Sequence, residues 1–282
     1  MSTTADVLRS AVEKLRAAGI ESARREARLL LVHALGISPD ALVGRDVEIA
    51  PAHFDDFVAR RAAREPLAYI VGAKEFWSLA FEVGPGVLIP RPETETLIEQ
   101  VIRFFPDRSA ALDVLDLGTG TGCLLIAALH EYPNAHGVGV DTSRAALAIA
   151  ARNVEKHALG ARCRLAEDDW GGGLPGRYDV ILSNPPYIRS SDIAALAPEV
   201  RLYEPIQALD GGPDGLAAYR VLAPRISRLL KPGGLAFLEL GVGQDRDVER
   251  ILTEAGFEIA EMAPDLAGIG RCVVARTGNR TK

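Results

Sequence analysis

Over residues 1–70 apolar positions recur at helical spacing. Val7, Leu8, Val12 and Leu15 mark one face and Gly19 stops it, while Leu29, Leu30, Val32 and Leu35 run to a second stop at Gly36. Pro51 opens a third helix carrying Phe54, Phe57 and Val58, and Pro66 ends it. A small helical-bundle domain over 1–70 is expected. Between 71 and 92 the pattern shortens to β-prone pieces, Phe76 to Phe81 and Val87 to Ile89, around the turn Val83-Gly84-Pro85-Gly86, which predicts a β-hairpin linker. Pro90 and Pro92 then lead into a helix with Leu97, Ile98, Val101 and Ile102 on one side. Beyond it apolar runs at 114–117, 138–140, 163–165, 180–182 and 235–240 alternate with helical patterns near 122–131, 143–157 and 215–230. That alternation predicts an α/β domain over 93–282 with a mainly parallel sheet covered on both faces.

Composition adds exclusions. With 48% hydrophobic and 25% charged residues among 282, the chain is far from the disordered class. No apolar run reaches the roughly 18 residues of a membrane span, and the polar N-terminus lacks a signal-peptide plan, so a cytoplasmic protein is expected. The net charge is -6, and positive and negative residues balance over 1–72, so no basic nucleic-acid-binding appendage is visible and no stable nucleic-acid partner is expected. Cys123, Cys163 and Cys272 are isolated from one another and from histidines, which suits buried packing residues rather than metal ligands.

Two stretches carry chemistry. The first, Asp116-Leu117-Gly118-Thr119-Gly120-Thr121-Gly122, leaves an apolar strand and enters a helix. Such glycines let the backbone turn sharply and let a nucleotide approach closely, although nicotinamide-dinucleotide sites share the signal in altered spacing. A second strand ends at Asp141, nineteen residues after Gly122, where a carboxylate can accept both ribose hydroxyls of an adenosine-type ligand or simply cap the helix that follows. Asp168 and Trp170, after the next strand, suit the amine and flat face of adenine, and equally a loop acid beside a half-buried ring.

The second stretch is Asn184-Pro185-Pro186-Tyr187 at the end of the strand Asp179 to Ser183. Successive prolines donate no N–H and fix φ, so their carbonyls are rigidly aimed acceptors, and the Asn184 side-chain oxygen adds another. An amino group offers two N–H donors, which Asn184 and Pro185 can hold while Tyr187 packs against its flat face. This reads as a clamp for methylation of a planar nitrogen by a sulfonium donor, a reaction that depends on alignment and exclusion of water and needs no metal.

Together these stretches resemble the glutamine N5-methyltransferases that modify peptide chain release factors. The resemblance spans most of the chain: Arg64-Glu65-Pro66-Leu67-Ala68-Tyr69-Ile70 with Gly72, Leu88-Ile89-Pro90-Arg91-Pro92-Glu93-Thr94-Glu95, the glycine loop, Asp141, Trp170 and Asn184 to Tyr187. It continues through Glu204-Pro205, Ala208-Leu209-Asp210-Gly211-Gly212, Asp214-Gly215-Leu216 and Tyr219-Arg220. The resemblance implies a class I, Rossmann-like S-adenosylmethionine-dependent methyltransferase with a seven-stranded sheet. Gly118, Thr119, Gly120, Thr121, Gly122, Asp141, Trp170 and Asn184 would contact the cofactor, and Asn184, Pro185, Pro186 and Tyr187 would hold a glutamine in a Gly-Gly-Gln loop of a class 1 release factor. The N-terminal helices would help dock that protein, and a monomer is expected. The Asn-Pro-Pro-Tyr turn alone is shared with DNA adenine methyltransferases, so a DNA or RNA adenine methyltransferase stays a rival, as does a ribosomal-protein glutamine methyltransferase. Arg91, Glu93 and Glu95 read as structural, since acids at a helix start stabilise it whatever the function.

Overall fold

A computed structural model describes residues 3–42 and 51–278. Contacts divide the chain into two compact units, Met1–Ala73 with Ala197–Tyr203, and Lys74–Leu196 with Glu204–Lys282.

The first unit is built on α1 (Thr4–Ala17), α2 (Ala23–Leu35), α3 (Pro51–Ala62) and α4 (Leu67–Val71), with α8 (Pro198–Tyr203) joining from far along the chain. Thr3 caps α1 with Asp6 in a reciprocal capping box, and α2 ends on Gly36 in the left-handed conformation. Ala11, Leu15, Ala27, Leu30, Leu31, Phe54 and Val58 form its core. The predicted helical faces therefore do the packing, but the participation of 197–203 was not expected. Buried Arg61 explains it: its guanidinium donates to Glu26 and, over 3.0 Å, to Glu199, which also takes Arg64 at 2.8 Å. Tyr203 closes the contact by donating to the Ala63 carbonyl over 2.8 Å.

The hairpin lies earlier than the sequence pattern placed it. Its strands are β1 (Ala73–Phe76) and β2 (Leu79–Glu82), so Phe76 to Phe81 is not one strand but two strand ends around a turn. Trp77 and Ser78 both take positive φ, 53° and 56°, the primed-turn geometry that matches strand twist. Local propensity missed it because neither residue favours that conformation. The backbone N–H of Trp77 donates to Glu95 and its indole N–H to Glu131, which hold the turn in place.

The second unit contains α5 (Glu95–Phe104), β3 (Asp113–Leu117), α6 (Cys123–Glu131), β4 (His136–Asp141), α7 (Arg144–Lys156), β5 (Cys163–Glu167) and β6 (Tyr178–Ser183). It continues with α9 (Ala217–Leu229), β7 (Leu230–Glu239), α10 (Asp245–Glu254), β8 (Phe257–Pro264) and β9 (Gly270–Thr277). The seven-stranded sheet runs β5-β4-β3-β6-β7-β9-β8, parallel except for β9, which is antiparallel to both neighbours. This is the Rossmann-like class I methyltransferase architecture. Its two faces bury separate apolar clusters, one around Leu125, Leu129 and Phe237, the other around Ile181, Leu222 and Leu238. From β3 the chain crosses outward to β4 and β5, then returns to the other side of β3 as β6. Crossovers leaving in opposite directions open a crevice at the carboxyl ends of β3 and β6.

Candidate active site

Both chemical stretches emerge at that crevice. β3 delivers the glycine loop and β6 delivers Asn184, and the Ser183 hydroxyl donates to the Leu117 carbonyl over 2.7 Å, locking the two strand ends together. The loop is pinned from below: the N–H groups of Gly118 and Thr119 both donate to the Val140 carbonyl at 2.9 Å. Thr119 donates to the buried Asp116 carboxylate over 2.6 Å, and the Gly120 N–H donates to Asp141 over 2.9 Å. Buried Asn153 donates to the Thr121 and Glu82 carbonyls, both at 3.0 Å, so β2 braces the loop from outside.

A cleft of about 570 Å³ opens over these groups. Gly118, Thr119, Gly120, Thr121, Asp141, Trp170, Asn184 and Pro186 are among its walls, as are Asp168, Thr94 and Arg91. The Trp170 ring packs over Gly118. Asp168 accepts from the Gly173 N–H through one oxygen, while Oδ1 is buried without a partner.

Three expected site residues, Gly122, Pro185 and Tyr187, are not among the walls. Gly122 instead lets α6 approach α7: a Cβ there would stand 3.3 Å from Ile126 and 3.5 Å from Ala150. Pro185 is a buried member of the turn. Tyr187 is drawn away by its hydroxyl, which donates to buried Glu239 over 3.0 Å. The segment behind the turn explains the glycines at 211 and 215. Ile188 and residues 209–211 exchange backbone hydrogen bonds, and a Cβ on Gly215, at φ +77°, would come within 2.4 Å of the Tyr187 carbonyl.

The model of the PrmC N-terminal domain matches residues 6–72, and that of the methyltransferase small domain matches 94–201. A release factor glutamine methyltransferase from Cereibacter sphaeroides is 47% identical over 96% of this chain and 98% of its own length. The chain belongs to the release factor glutamine methyltransferase family. A second such methyltransferase, from Geobacter sulfurreducens, is 46% identical over 92% of each chain. Among solved structures, a Pyrococcus furiosus methyltransferase, 20% identical, aligns with a TM-score of 0.54 over 78% of this chain and 98% of that one, and so shares the fold.

Within this methyltransferase several site residues escaped the sequence reading. Arg91, read as structural, lines the cleft and donates over 2.6 Å to Glu204, whose side chain is 1% exposed and also accepts from the Ile89 N–H. Burial pushes the Glu204 carboxyl up, with Arg91 opposing. That pair ties the Pro90-Arg91-Pro92 segment to Pro205, Ile206, Gln207 and Ala208, which form another part of the cleft wall. Glu95 is structural, accepting from Trp77, and Glu93 is exposed. The third omission is Glu239, 1% exposed at the end of β7, its carboxyl pushed up to about 7 by burial. A glutamate inside Leu235-Ala236-Phe237-Leu238-Glu239-Leu240 was a readable signal, because an apolar strand rarely carries a carboxylate without a use for it.

Proposed function

We propose that the protein transfers the methyl group of S-adenosylmethionine to the side-chain amide nitrogen of the glutamine in the Gly-Gly-Gln motif of class 1 peptide chain release factors. The observation that carries this reading is the placement of Asn184 in one cleft with the glycine loop, its amide nitrogen already donating to Thr94 over 3.2 Å. That bond leaves Oδ1 as the free end of the amide, an acceptor available to an amino group.

The cleft suits the cofactor. Asp141 stands at the end of β4 with Gly120 and Ser143 N–H groups on its two oxygens, a carboxylate fixed where ribose hydroxyls can donate to it. The unpartnered Asp168 Oδ1 is an acceptor for the adenine amine, and Trp170 offers a flat face. Gly118, Thr119, Gly120 and Thr121 line the approach between them. When bound, S-adenosylmethionine supplies a methyl carbon already activated by its sulfonium.

The chain's part is to make a weak nucleophile attack. A glutamine nitrogen shares its lone pair with its own carbonyl, and acceptors on both N–H groups favour a pyramidal nitrogen whose lone pair is free. Asn184 Oδ1 supplies one acceptor; Pro185 buries its ring in the turn, and its backbone carbonyl is assigned here as the second, both held by a turn that the prolines stiffen. Tyr187 acts from behind, fixing the turn through Glu239 rather than stacking on the target. The helical domain over 1–70, with the linker that follows, docks the release factor and leaves the 93–282 domain to the chemistry.

Incubation with methyl-labelled S-adenosylmethionine tests the reading. Label should enter a release factor and not a variant whose loop glutamine is replaced. Label in unmethylated DNA or ribosomal protein instead, or equal label in both release factors, would overturn it.

A further inference from the structure

Positive and negative residues balance over 1–72, but the fold does not mix them evenly. Arg9, Lys14, Arg60, Arg61 and Arg64 each have a carboxylate within 3.5 Å. Arg16 on α1 and Arg24, Arg25 and Arg28 on α2 have no ion pair or side-chain hydrogen bond among the described residues. All four are exposed, and all four stand along one groove of about 520 Å³ within the helical unit. Leu29 and Val32 are also in its walls. Leu29 is half-buried yet lies outside the apolar core of the bundle, so the fold makes no packing use of the surface it turns to the groove.

This arrangement works against α2 itself. Arg24 and Arg25 occupy its first turn, where the helix dipole disfavours cations. Arg28 follows Arg24 at i+4 and Arg25 at i+3, like-charge neighbours that destabilise a helix. Glu26, the acid of that turn, is committed to Arg61 and offers the groove no compensation. A face kept only for solubility would gain nothing from this crowding, since the chain already carries a net charge of -6. Unneutralised guanidinium groups gathered along an apolar-walled groove are instead what an anionic partner would stabilise.

We infer that this groove is where the helical unit receives a segment of the release factor that carries carboxylates around an apolar side chain. The inference rests on the proposed reading that this domain docks the release factor, and goes further by naming the surface and the chemistry of the partner. Carboxylates match the guanidinium fork and can take it bidentately. An apolar side chain between them covers Leu29 and Val32 and keeps out the water that would weaken those pairs. A nucleic acid fits less well. The described walls hold no aromatic ring on which a base could stack, and Glu21 stands among the arginines where a phosphate would have to pass.

The test uses the full chain and an intact release factor, with methyl transfer followed at low and high salt. In the unaltered protein KM for the release factor should rise between about 50 and about 300 mM salt, because the pairs are screened. Arg24→Glu with Arg28→Glu should raise KM about tenfold or more at low salt, flatten its salt dependence and move kcat less than about twofold. Arg24→Lys with Arg28→Lys keeps the charge and should recover most of that loss. The melting temperature of the Glu pair should be no lower than that of the unaltered protein, since neither arginine has an internal partner to lose; this separates docking from misfolding. Arg250→Glu with Arg276→Glu makes the same change in net charge on the other unit and should leave KM nearly as it was. An unmoved KM and salt dependence in the Arg24/Arg28 pair, or an equal rise in the Arg250/Arg276 pair, overturns the inference. So does a groove whose Glu pair loses binding to a single-stranded RNA oligonucleotide while KM for the release factor stays put. If the unaltered protein labels no release factor, the substrate reading and the inference fail together; if it does so with one KM across all variants, only the inference fails.

Discussion

Asn184 can face the cleft as an acceptor because its nitrogen is already committed to Thr94. Its replacement by Ala removes that acceptor while leaving Asp141, Trp170 and the glycine loop in place. Turnover should fall about 10²- to 10³-fold, as for loss of a group made for the transition state, with cofactor affinity by calorimetry shifted only a few-fold. Buried carboxyls set the pH behaviour of stability. Burial pushes both Asp116 and Glu239 up to about 7, whereas in the unfolded chain they ionise near their ordinary values, around 4. Between those limits the folded state holds protons that the unfolded state has released, so stability is fully present at low pH and falls as pH rises toward 7. Each group costs on the order of 3 kcal/mol above that range. Glu239→Gln should therefore raise the melting temperature by several degrees at about pH 8 and much less at about pH 5. Equal shifts at both pH values in thermal melts would contradict this. Of these residues the sequence displayed Asn184 plainly, because a Pro-Pro turn beside a glycine loop is a rare local pattern. It hid Thr94, whose meaning lies in a hydrogen bond to Asn184 far along the chain, whereas Glu239 stood out as a carboxylate in an apolar strand without showing what it would hold.

At the scale of elements, legibility follows burial. β3, β4 and β6 are covered on both faces and read as apolar runs, and the crevice at their ends followed from that alternation. β8 is largely half-buried at the sheet edge, and its pattern Phe257-Glu258-Ile259-Ala260-Glu261-Met262 carries no clean period, so neither it nor its antiparallel partner β9 was drawn from the sequence. The hairpin was displaced for a different reason. Its turn is made by Trp77 and Ser78 at positive φ, and the glycines at 84 and 86 offered a more conventional turn a few residues later. Trp77 is kept there by Glu95 and Glu131 despite the backbone cost, whereas Ser78 brings to a positive φ a Cβ that glycine would not have. Ser78→Gly should thus stabilise the protein by about 0.5–1 kcal/mol, read as a higher denaturation midpoint at unchanged slope.

The whole molecule is divided less simply than its sequence. A contiguous helical domain followed by a catalytic one was the expectation, yet the helical unit takes in residues 197–203 through Arg61, Arg64 and Tyr203. Arg61, with its side chain only 7% exposed between Glu26 and Glu199, holds that arrangement. Burial works against its charge, and the two carboxylates more than offset it. Arg61→Ala leaves the half-buried Glu26 without its guanidinium and Glu199 with Arg64 alone, and should destabilise this unit by about 3–5 kcal/mol. Hydrogen exchange should show faster exchange in α2, α3 and 198–203 than in the central strands.

The same return of the chain has a consequence for biosynthesis. The helical segment is translated first, but its last piece leaves the ribosome only after more than a hundred further residues, a delay of roughly 10 s. Until then Glu26 and Arg61 wait for Glu199, so a nascent chain halted before residue 197 carries an unfinished N-terminal half. A fragment cut at residue 73 would inherit the same gap, which makes the minimal autonomous helical piece a matter of two separate stretches of the gene rather than one.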